Sequence, residues 1–194
     1  MRLSAEERRA AVLETACRVF SKASYHGATT AEIARESGVT EPVLYRHFPS
    51  KRELYLDCLK EAWARLRAVW ERVVGEEPDP KSWVAAMGRA YLQSKDEKIL
   101  LANLWIQALT QAADDPKIRR ALRDQVREVH DFVADVIRRS QAAGGVLRER
   151  DADAEAWIFI SVGLLGTIDR RLGGLVGEEF EAIFASRRRW MVGD

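Results

Sequence analysis

Apolar residues recur along this chain at intervals of three and four, the period that places them on one face of an α-helix. The clearest stretches run from 51 to about 74 and from 116 to about 143, where a continuous apolar stripe faces charged residues. No segment shows the strict alternation of a half-buried strand. The pattern therefore predicts an all-α protein of nine or ten helices, three short ones followed by six or seven longer ones.

Capping residues mark the ends of several of these helices. Ser4 stands three residues before Glu7, and Ser50 three residues before Glu53, the spacing of a capping box. Glycine pairs at 144–145 and 173–174 can take the left-handed conformation that ends a helix. These signals predict a helix beginning near residue 5, another beginning near residue 51, and stops for two of the later helices.

Near the start of the chain, two short helical patterns are joined by a three-residue turn. Thr29 is placed to cap the first helix, Gly38 to end it, and Thr40 to cap the second. The second helix begins with Glu41 and Pro42, where proline is tolerated because first-turn amides have no partner within the helix. Two helices around a glycine-containing turn form a helix-turn-helix, whose second helix enters the major groove of DNA.

This stretch resembles the DNA-binding domain of TetR-family transcriptional regulators. The matching residues, at the family's spacing, are Gly27, Thr29, Ile33-Ala34, Gly38-Val39-Thr40, Leu44-Tyr45, His47-Phe48, Lys51 and Leu54. The resemblance covers about the first quarter of the chain. It implies a helix-turn-helix DNA-binding domain over residues 1–50 and a helical ligand-binding and dimerisation domain over residues 51–194. It also implies a ligand-responsive repressor that binds a palindromic operator as a homodimer and is released by a small effector.

The resemblance also implies which residues meet the DNA. Contacts to bases or to the sugar-phosphate backbone are expected from Thr29, Thr30, Thr40, Glu41, Pro42, Val43, Tyr45, Arg46, His47 and Lys51. Thr29, Thr30 and Lys51 suit phosphates, whereas a glutamate can accept from a cytosine amino group. Many relatives carry a lysine where this chain has Glu41. That carboxylate could equally stabilise the positive end of the helix dipole, and both interpretations stay open.

All six tryptophans follow residue 60, which gives the second domain a large aromatic inventory. Pockets between the helices of a bundle are typically lined by such side chains. Pocket-lining positions are predicted at Trp63, Trp83, Met87, Tyr91, Leu104, Trp105, Phe132 and Trp157, although each could be ordinary core. With few charged residues among them, an apolar effector such as a fatty acyl-CoA is expected. Arg170 and Arg171 could hold its anionic group or form a solvated helix end.

The most apolar helix is predicted after Asp151, over residues 154–172, with Leu164 and Ile168 on its apolar side. Small residues within it would permit close helix approach. Together with the helix of residues 117–143 from each chain, it would form the four-helix dimer interface that the resemblance implies.

Composition excludes several function classes. A formal net charge of +1 lacks the basic excess of a non-specific nucleic-acid coat. Cys17 and Cys58 lie on apolar stripes, which favours buried reduced thiols over a disulfide or metal pair. The chain has neither a long apolar run nor a signal-peptide pattern, so a cytoplasmic location is expected.

An enzyme is not expected. The three histidines lack a second ligand at metal-binding helix spacing, and the sequence contains neither a P-loop nor a dinucleotide fingerprint. No metal or cofactor is therefore predicted. The alternatives to a repressor are an activator and a small-molecule-binding helical protein that has lost operator binding. Glu41 is the feature that favours the last alternative, because it places a negative charge at the groove.

Overall fold

The computed structural model describes residues 4–23, 25–93 and 97–193. Within these ranges the α-helices are α1 (Ala5–Lys22), α2 (Thr30–Glu36), α3 (Glu41–His47), α4 (Lys51–Glu76), α5 (Trp83–Gln93), α6 (Glu97–Ala112), α7 (Pro116–Ala142), α8 (Ala152–Arg171) and α9 (Glu179–Val192). A short 3-10 helix, Pro80–Ser82, precedes α5. The all-α prediction is confirmed. A charged break that the sequence places at residues 95–98 lies partly outside the described residues.

Local hydrogen bonds explain where the first helices begin. Ser4 and Glu7 form the predicted capping box, each side chain accepting from the other's backbone amide. The predicted side-chain cap at Thr40 is wrong, because its hydroxyl makes no such bond. Pro42 occupies one of the two positions whose amides a cap could bind and has no N–H. The amide at the other position, Val43, donates to the backbone carbonyl of Thr40 instead.

The chain forms two compact units, and α4, α6 and α7 contribute residues to both. The first comprises Met1–Arg65 and Ile99–Gln125. Phe20 and Tyr55 meet edge to face in its core, with ring centroids 5.0 Å apart. The fully buried apolar residues of this unit include Val12, Ala16, Phe20, Ile33, Leu44, Leu54, Tyr55, Cys58, Leu104 and Ile118. The apolar stripe predicted for α1 is thus the core face of the helix. The boundary predicted after residue 50 stays a prediction.

The second unit comprises Leu66–Lys98 and Val126–Asp194. Its interior is aromatic: Trp70 stacks on Phe132 at 5.9 Å and meets Phe159 edge to face at 5.6 Å. The loop after α7 packs tightly here, because a Cβ on Gly145 would lie 2.4 Å from the carbonyl carbon of Pro80. Gly145 therefore allows a close backbone approach, beyond its predicted role in stopping the helix.

Helix α8 has two unlike faces within the second unit. Its buried face carries mostly small residues, with Thr167 3.4 Å from the Tyr91 hydroxyl of α5. A Cβ on Gly163 would also lie 3.6 Å from the Tyr91 ring, so this glycine faces α5. Ile168, on the apolar stripe expected from the sequence, is 45% exposed. The small residues thus serve packing inside the chain and leave large apolar side chains on the opposite face.

Candidate DNA-binding site

Helices α2 and α3 are held in place by the turn between them. The Thr29 hydroxyl accepts from the amide of Glu32 at 3.1 Å and so starts α2. Gly38 adopts φ +66°, a left-handed conformation that favours glycine, and directs the chain out of α2. The amide of Val39 then donates to the carbonyl of Ala34 at 3.0 Å. The predicted helix-turn-helix is present, with four residues, 37–40, between the helices rather than the predicted three.

A hydrogen-bonded trio links the two helices. The Thr30 hydroxyl at the start of α2 donates to Oε1 of Glu41 at 2.5 Å and lies 3.0 Å from the Tyr45 hydroxyl. Thr30 is 8% exposed, whereas Glu41 is half-buried and Tyr45 is 44% exposed. Both side chains of α3 therefore reach from the helix surface to one buried hydroxyl.

The ten predicted DNA-contact residues lie at the start of α2, along α3 with its N-cap, and at the start of α4, all within the first unit. Their accessibility differs. The exposed members are Thr29, Thr40, Pro42, Tyr45 and Arg46; the half-buried members are Glu41, Val43, His47 and Lys51; Thr30 is buried. The first turns of α3 therefore form an accessible surface with an aromatic hydroxyl, a carboxylate and a guanidinium.

Lys51 stands at the first position of α4 and contacts an aromatic ring. Its Nζ lies 4.7 Å from the centroid of Tyr25, and burial lowers the pKa of the lysine. The next residue, Arg52, pairs with Asp115 at 3.2 Å. Sequence patterns did not reveal the Tyr25 contact, because the two residues are distant in the chain and meet only through tertiary packing. The contact orients the ammonium group beside the helix-turn-helix.

Comparison with known proteins is consistent with this geometry. Residues 12–58 match the family model described as bacterial regulatory proteins of the TetR family, and residues 80–162 match the BetI-type transcriptional repressor C-terminal model. The HTH-type transcriptional regulator TtgR of Pseudomonas putida is 31% identical over 86% of this chain and 88% of its own length. The chain belongs to the TetR family of transcriptional regulators. It is thus a DNA-binding regulator, and the family is made up of regulators rather than enzymes.

This TetR-family chain has two further similarities, one in sequence over part of its length and one in fold. The HTH-type transcriptional activator FasR of Mycolicibacterium smegmatis is 51% identical over 30% of this chain, and the match spans 27% of that protein. The fatty acid degradation regulator FadR of Bacillus halodurans superposes with a TM-score of 0.74 over 97% of this chain and 95% of its own, at 14% identity. That likeness shows the fold.

The eight residues predicted to line a pocket fall into both units. Trp63, Leu104 and Trp105 are buried in the first unit. The indole N–H of Trp105 donates to Gln125 at 2.6 Å. The Oε1 atom of Gln107 is buried without a hydrogen-bond partner among the described residues.

The other five belong to the second unit, at Trp83, Met87, Tyr91, Phe132 and Trp157. Met87 is fully buried, and its carbonyl accepts from the indole of Trp70. Trp157 is 39% exposed and lies against the His130 ring, with ring centroids 4.4 Å apart. Its side chain thus lies at the surface of its unit.

The described ranges contain no cluster of three side chains suited to hold a metal ion. None of the helices in those ranges is long and apolar enough to span a membrane.

Proposed function

We propose that this TetR-family regulator is a repressor that binds a palindromic operator as a homodimer and is released by a small apolar effector. The observation that carries operator binding is the accessible surface of α3, where Tyr45 and Arg46 are exposed. The cation of Lys51 follows in the same unit, at the first position of α4. A second helix that enters the major groove needs such side chains for bases, with flanking cations for phosphates. The other expected DNA contacts, from Thr29, Thr40, Pro42, Val43 and His47, are part of the same proposal.

The homodimer follows from two arguments. One short helix reads few base pairs alone, and a two-fold protein matches a palindromic site. In addition, α8 and the turn after it expose large apolar side chains at Ile158, Ile168, Leu172 and Leu175, between 38% and 66% exposed. Exposed large apolar side chains on one helix and the turn that follows it favour burial against a second copy. The α7 and α8 helices of two chains would supply the four-helix interface.

The effector is proposed to bind among the buried aromatic residues of the helices after α3. In the first unit, Trp63, Leu104 and Trp105 supply apolar surface, and the unpaired Oε1 of Gln107 offers a hydrogen-bond acceptor that a bound molecule could satisfy. A fatty acyl compound such as an acyl-CoA is our first candidate. FadR, which is similar to this chain in fold, is named a fatty acid degradation regulator. That name agrees with the choice of a fatty acyl compound.

Release requires a link between effector and DNA. Within the first unit, the Tyr55 hydroxyl of α4 donates to the carbonyl of Leu104 in α6 at 2.7 Å. Arg52 of α4 pairs with Asp115, which caps α7. A ligand that displaces α6 would therefore pull on the helix that begins with Lys51. A coupling of about 1–3 kcal/mol would change operator affinity roughly 5- to 150-fold.

Regulatory direction has two candidates. The match to a BetI-type repressor model over residues 80–162 supports repression. The 51% identity to the activator FasR supports activation as the second candidate, although that match covers 30% of this chain. A reporter gene behind the selected operator separates the two, because deleting the regulator raises expression under a repressor and lowers it under an activator.

The test begins by selecting bound duplexes from a random DNA pool with the full chain. Recovery of a palindromic sequence is the expected result, and equal affinity for all duplexes at matched salt would overturn operator binding. Acyl-CoAs of increasing chain length are then titrated by tryptophan fluorescence with and without operator. Because coupling is reciprocal, operator must weaken effector binding by the factor by which effector weakens operator binding. Identical ligand affinities in both conditions would reject the acyl compounds as effectors.

A further inference from the structure

The trio at the start of α3 has a fixed direction of hydrogen bonding. A threonine hydroxyl has one hydrogen to donate and lone pairs to accept, and a carboxylate can only accept. The single hydrogen of Thr30 goes to Oε1 of Glu41 at 2.5 Å. The Tyr45 hydroxyl lies 3.0 Å from the hydroxyl oxygen of Thr30. Since Thr30 has no second hydrogen, Tyr45 must donate its own hydrogen to that oxygen. The chain of donation runs from Tyr45 through Thr30 to Glu41.

This direction determines what α3 can offer to a ligand. The Tyr45 hydroxyl has used its hydrogen inside the protein, so its exposed side presents lone pairs. The second carboxylate oxygen of Glu41 has no hydrogen bond among the described residues and is also an acceptor. Thr30 itself is buried, and its hydroxyl is occupied on both sides. Neither hydroxyl can donate to a phosphate without breaking the trio.

We propose that Thr30 is a positioning residue that makes the DNA-facing end of α3 an acceptor surface, so that the operator presents an exocyclic amino group of cytosine or adenine to Glu41 and Tyr45. In the major groove only these two bases offer hydrogen-bond donors, while guanine and thymine offer acceptors at the equivalent edge. A carboxylate held against an acceptor would lose hydration without gaining a bond. The inference rests on the proposed operator binding and specifies its base preference.

The trio also explains how a carboxylate, Glu41, can lie at a surface that binds negatively charged DNA. Held by Thr30, its carboxylate cannot swing freely toward phosphates. Positive charge is supplied instead by exposed Arg46 and by Lys51 over the Tyr25 ring. The arrangement thus separates base reading, by acceptors, from phosphate binding, by cations.

The experiment compares the duplexes selected by the full-length wild type with those selected by Thr30→Val and Thr30→Ser. Valine has the shape of threonine without its hydroxyl, and serine restores the hydroxyl. Thr30→Val should reduce the affinity ratio between the preferred base pair and the alternative pairs at the α3-facing positions, roughly 5- to 150-fold. Its slope of log affinity against log salt should equal that of the wild type, and Thr30→Ser should retain the wild-type preference.

Glu41→Gln supplies a second measurement if Thr30→Val fails to fold by circular dichroism. A glutamine amide pairs with both the amino group and N7 of adenine, so this variant should shift the preferred base from cytosine toward adenine, or strengthen an existing adenine preference. A selection profile identical to that of the wild type would contradict the assigned role of Glu41.

Three other results would overturn the inference. One is an unchanged base preference in Thr30→Val. Another is a uniform loss of affinity across all sequences, which would mean that the Thr30 hydroxyl binds a phosphate. The third is unchanged wild-type affinity for an operator whose selected cytosine or adenine at these positions carries hydrogen in place of its exocyclic amino group, which leaves operator binding intact. A wild type that selects no sequence at all would instead reject the proposed function itself.

Discussion

The indole N–H of Trp105 donates a 2.6 Å hydrogen bond to Oε1 of Gln125. The amide nitrogen of Gln125 donates in turn to the backbone carbonyl of Leu59, also at 2.6 Å. One buried glutamine therefore joins α6, α7 and α4 inside the first unit. Because the site is buried, each of these polar groups depends on the others for a partner.

Replacing this glutamine should be costly for stability. Gln125→Ala leaves the Trp105 N–H unpaired, at about 1–3 kcal/mol, and removes a second bond that the Leu59 carbonyl accepts besides its bond within α4. We expect the free energy of unfolding, measured with urea, to fall accordingly. Asp124→Ala, at the exposed neighbouring position, is the matched control and should change little. Equal losses in the two variants would show that the hydrogen-bonded chain does not stabilise the fold.

Removing the ammonium group at the start of α4 should weaken binding to all DNA sequences alike. Lys51→Ala is expected to lower the slope of log affinity against log salt by about 0.9, the value for one lost phosphate contact. Fluorescence anisotropy at several salt concentrations gives this slope. Lys60→Ala is the control, since Lys60 is exposed later on the same helix and pairs with Asp57. A change in base preference with an intact slope would assign Lys51 a different role.

A charge on the outer face of α8 should prevent dimerisation without unfolding the chain. Ile168→Glu changes a side chain that is 45% exposed in the single chain, and its carboxylate would be buried without a partner in the proposed interface. Light scattering after size exclusion should show monomers, and a binding titration should show that these monomers have poor affinity for the operator. Leu164→Glu, at a half-buried position, should behave similarly. Leu109→Glu, at a 59% exposed position on α6, should remain dimeric. A folded, fully dimeric Ile168→Glu protein would exclude this face.

The carboxylate that begins α7 should stabilise the protein in a pH-dependent manner. Burial raises the pKa of Asp115, but the amides of Ile118 and Lys117 and the guanidinium of Arg52 outweigh burial and lower it overall. A lowered folded-state pKa gives stability that is present above the unfolded value of about 3.9 and is lost as pH falls through the folded value.

Asp115→Asn should accordingly be less stable than the wild type near neutral pH, and the difference should disappear in acid. Urea unfolding between pH 7 and pH 2.5 measures it. Asp114→Asn, at the exposed neighbour, should show no such convergence. A stability difference that is the same at every pH would mean that ionisation of Asp115 does not contribute.

Much of the fold was predictable because helical periodicity and capping are local properties of the sequence. The α1 stripe of Ala16 and Phe20 is core, and Gly38 has the expected left-handed conformation. The presence of a helix-turn-helix followed from the same local signals. The cap at Thr40 failed because proline at the second helical position removes a donor, an effect that the residue type of Thr40 alone does not reveal.

What the sequence could not provide depends on tertiary geometry. No spacing rule shows that Glu41 and Tyr45 share the Thr30 hydroxyl, because that requires the angle between α2 and α3. On α8, periodicity could not decide which of two apolar faces packs inside the chain. In the structure, the inner face is the one whose small residues lie beside Tyr91. Predictions of the DNA contacts and of the pocket stay predictions, since they concern molecules outside the chain.

The burial of Cys17 and Cys58 makes the native protein unreactive toward thiol reagents. Both thiols are free, they are at most 1% exposed, and burial raises the pKa of Cys58 further above its usual range. A cysteine introduced on the surface, for example at Arg46, would therefore be the first site to take up a maleimide dye. The two native thiols would react only when the first unit opens. Their alkylation rate would therefore report the rate at which this unit unfolds.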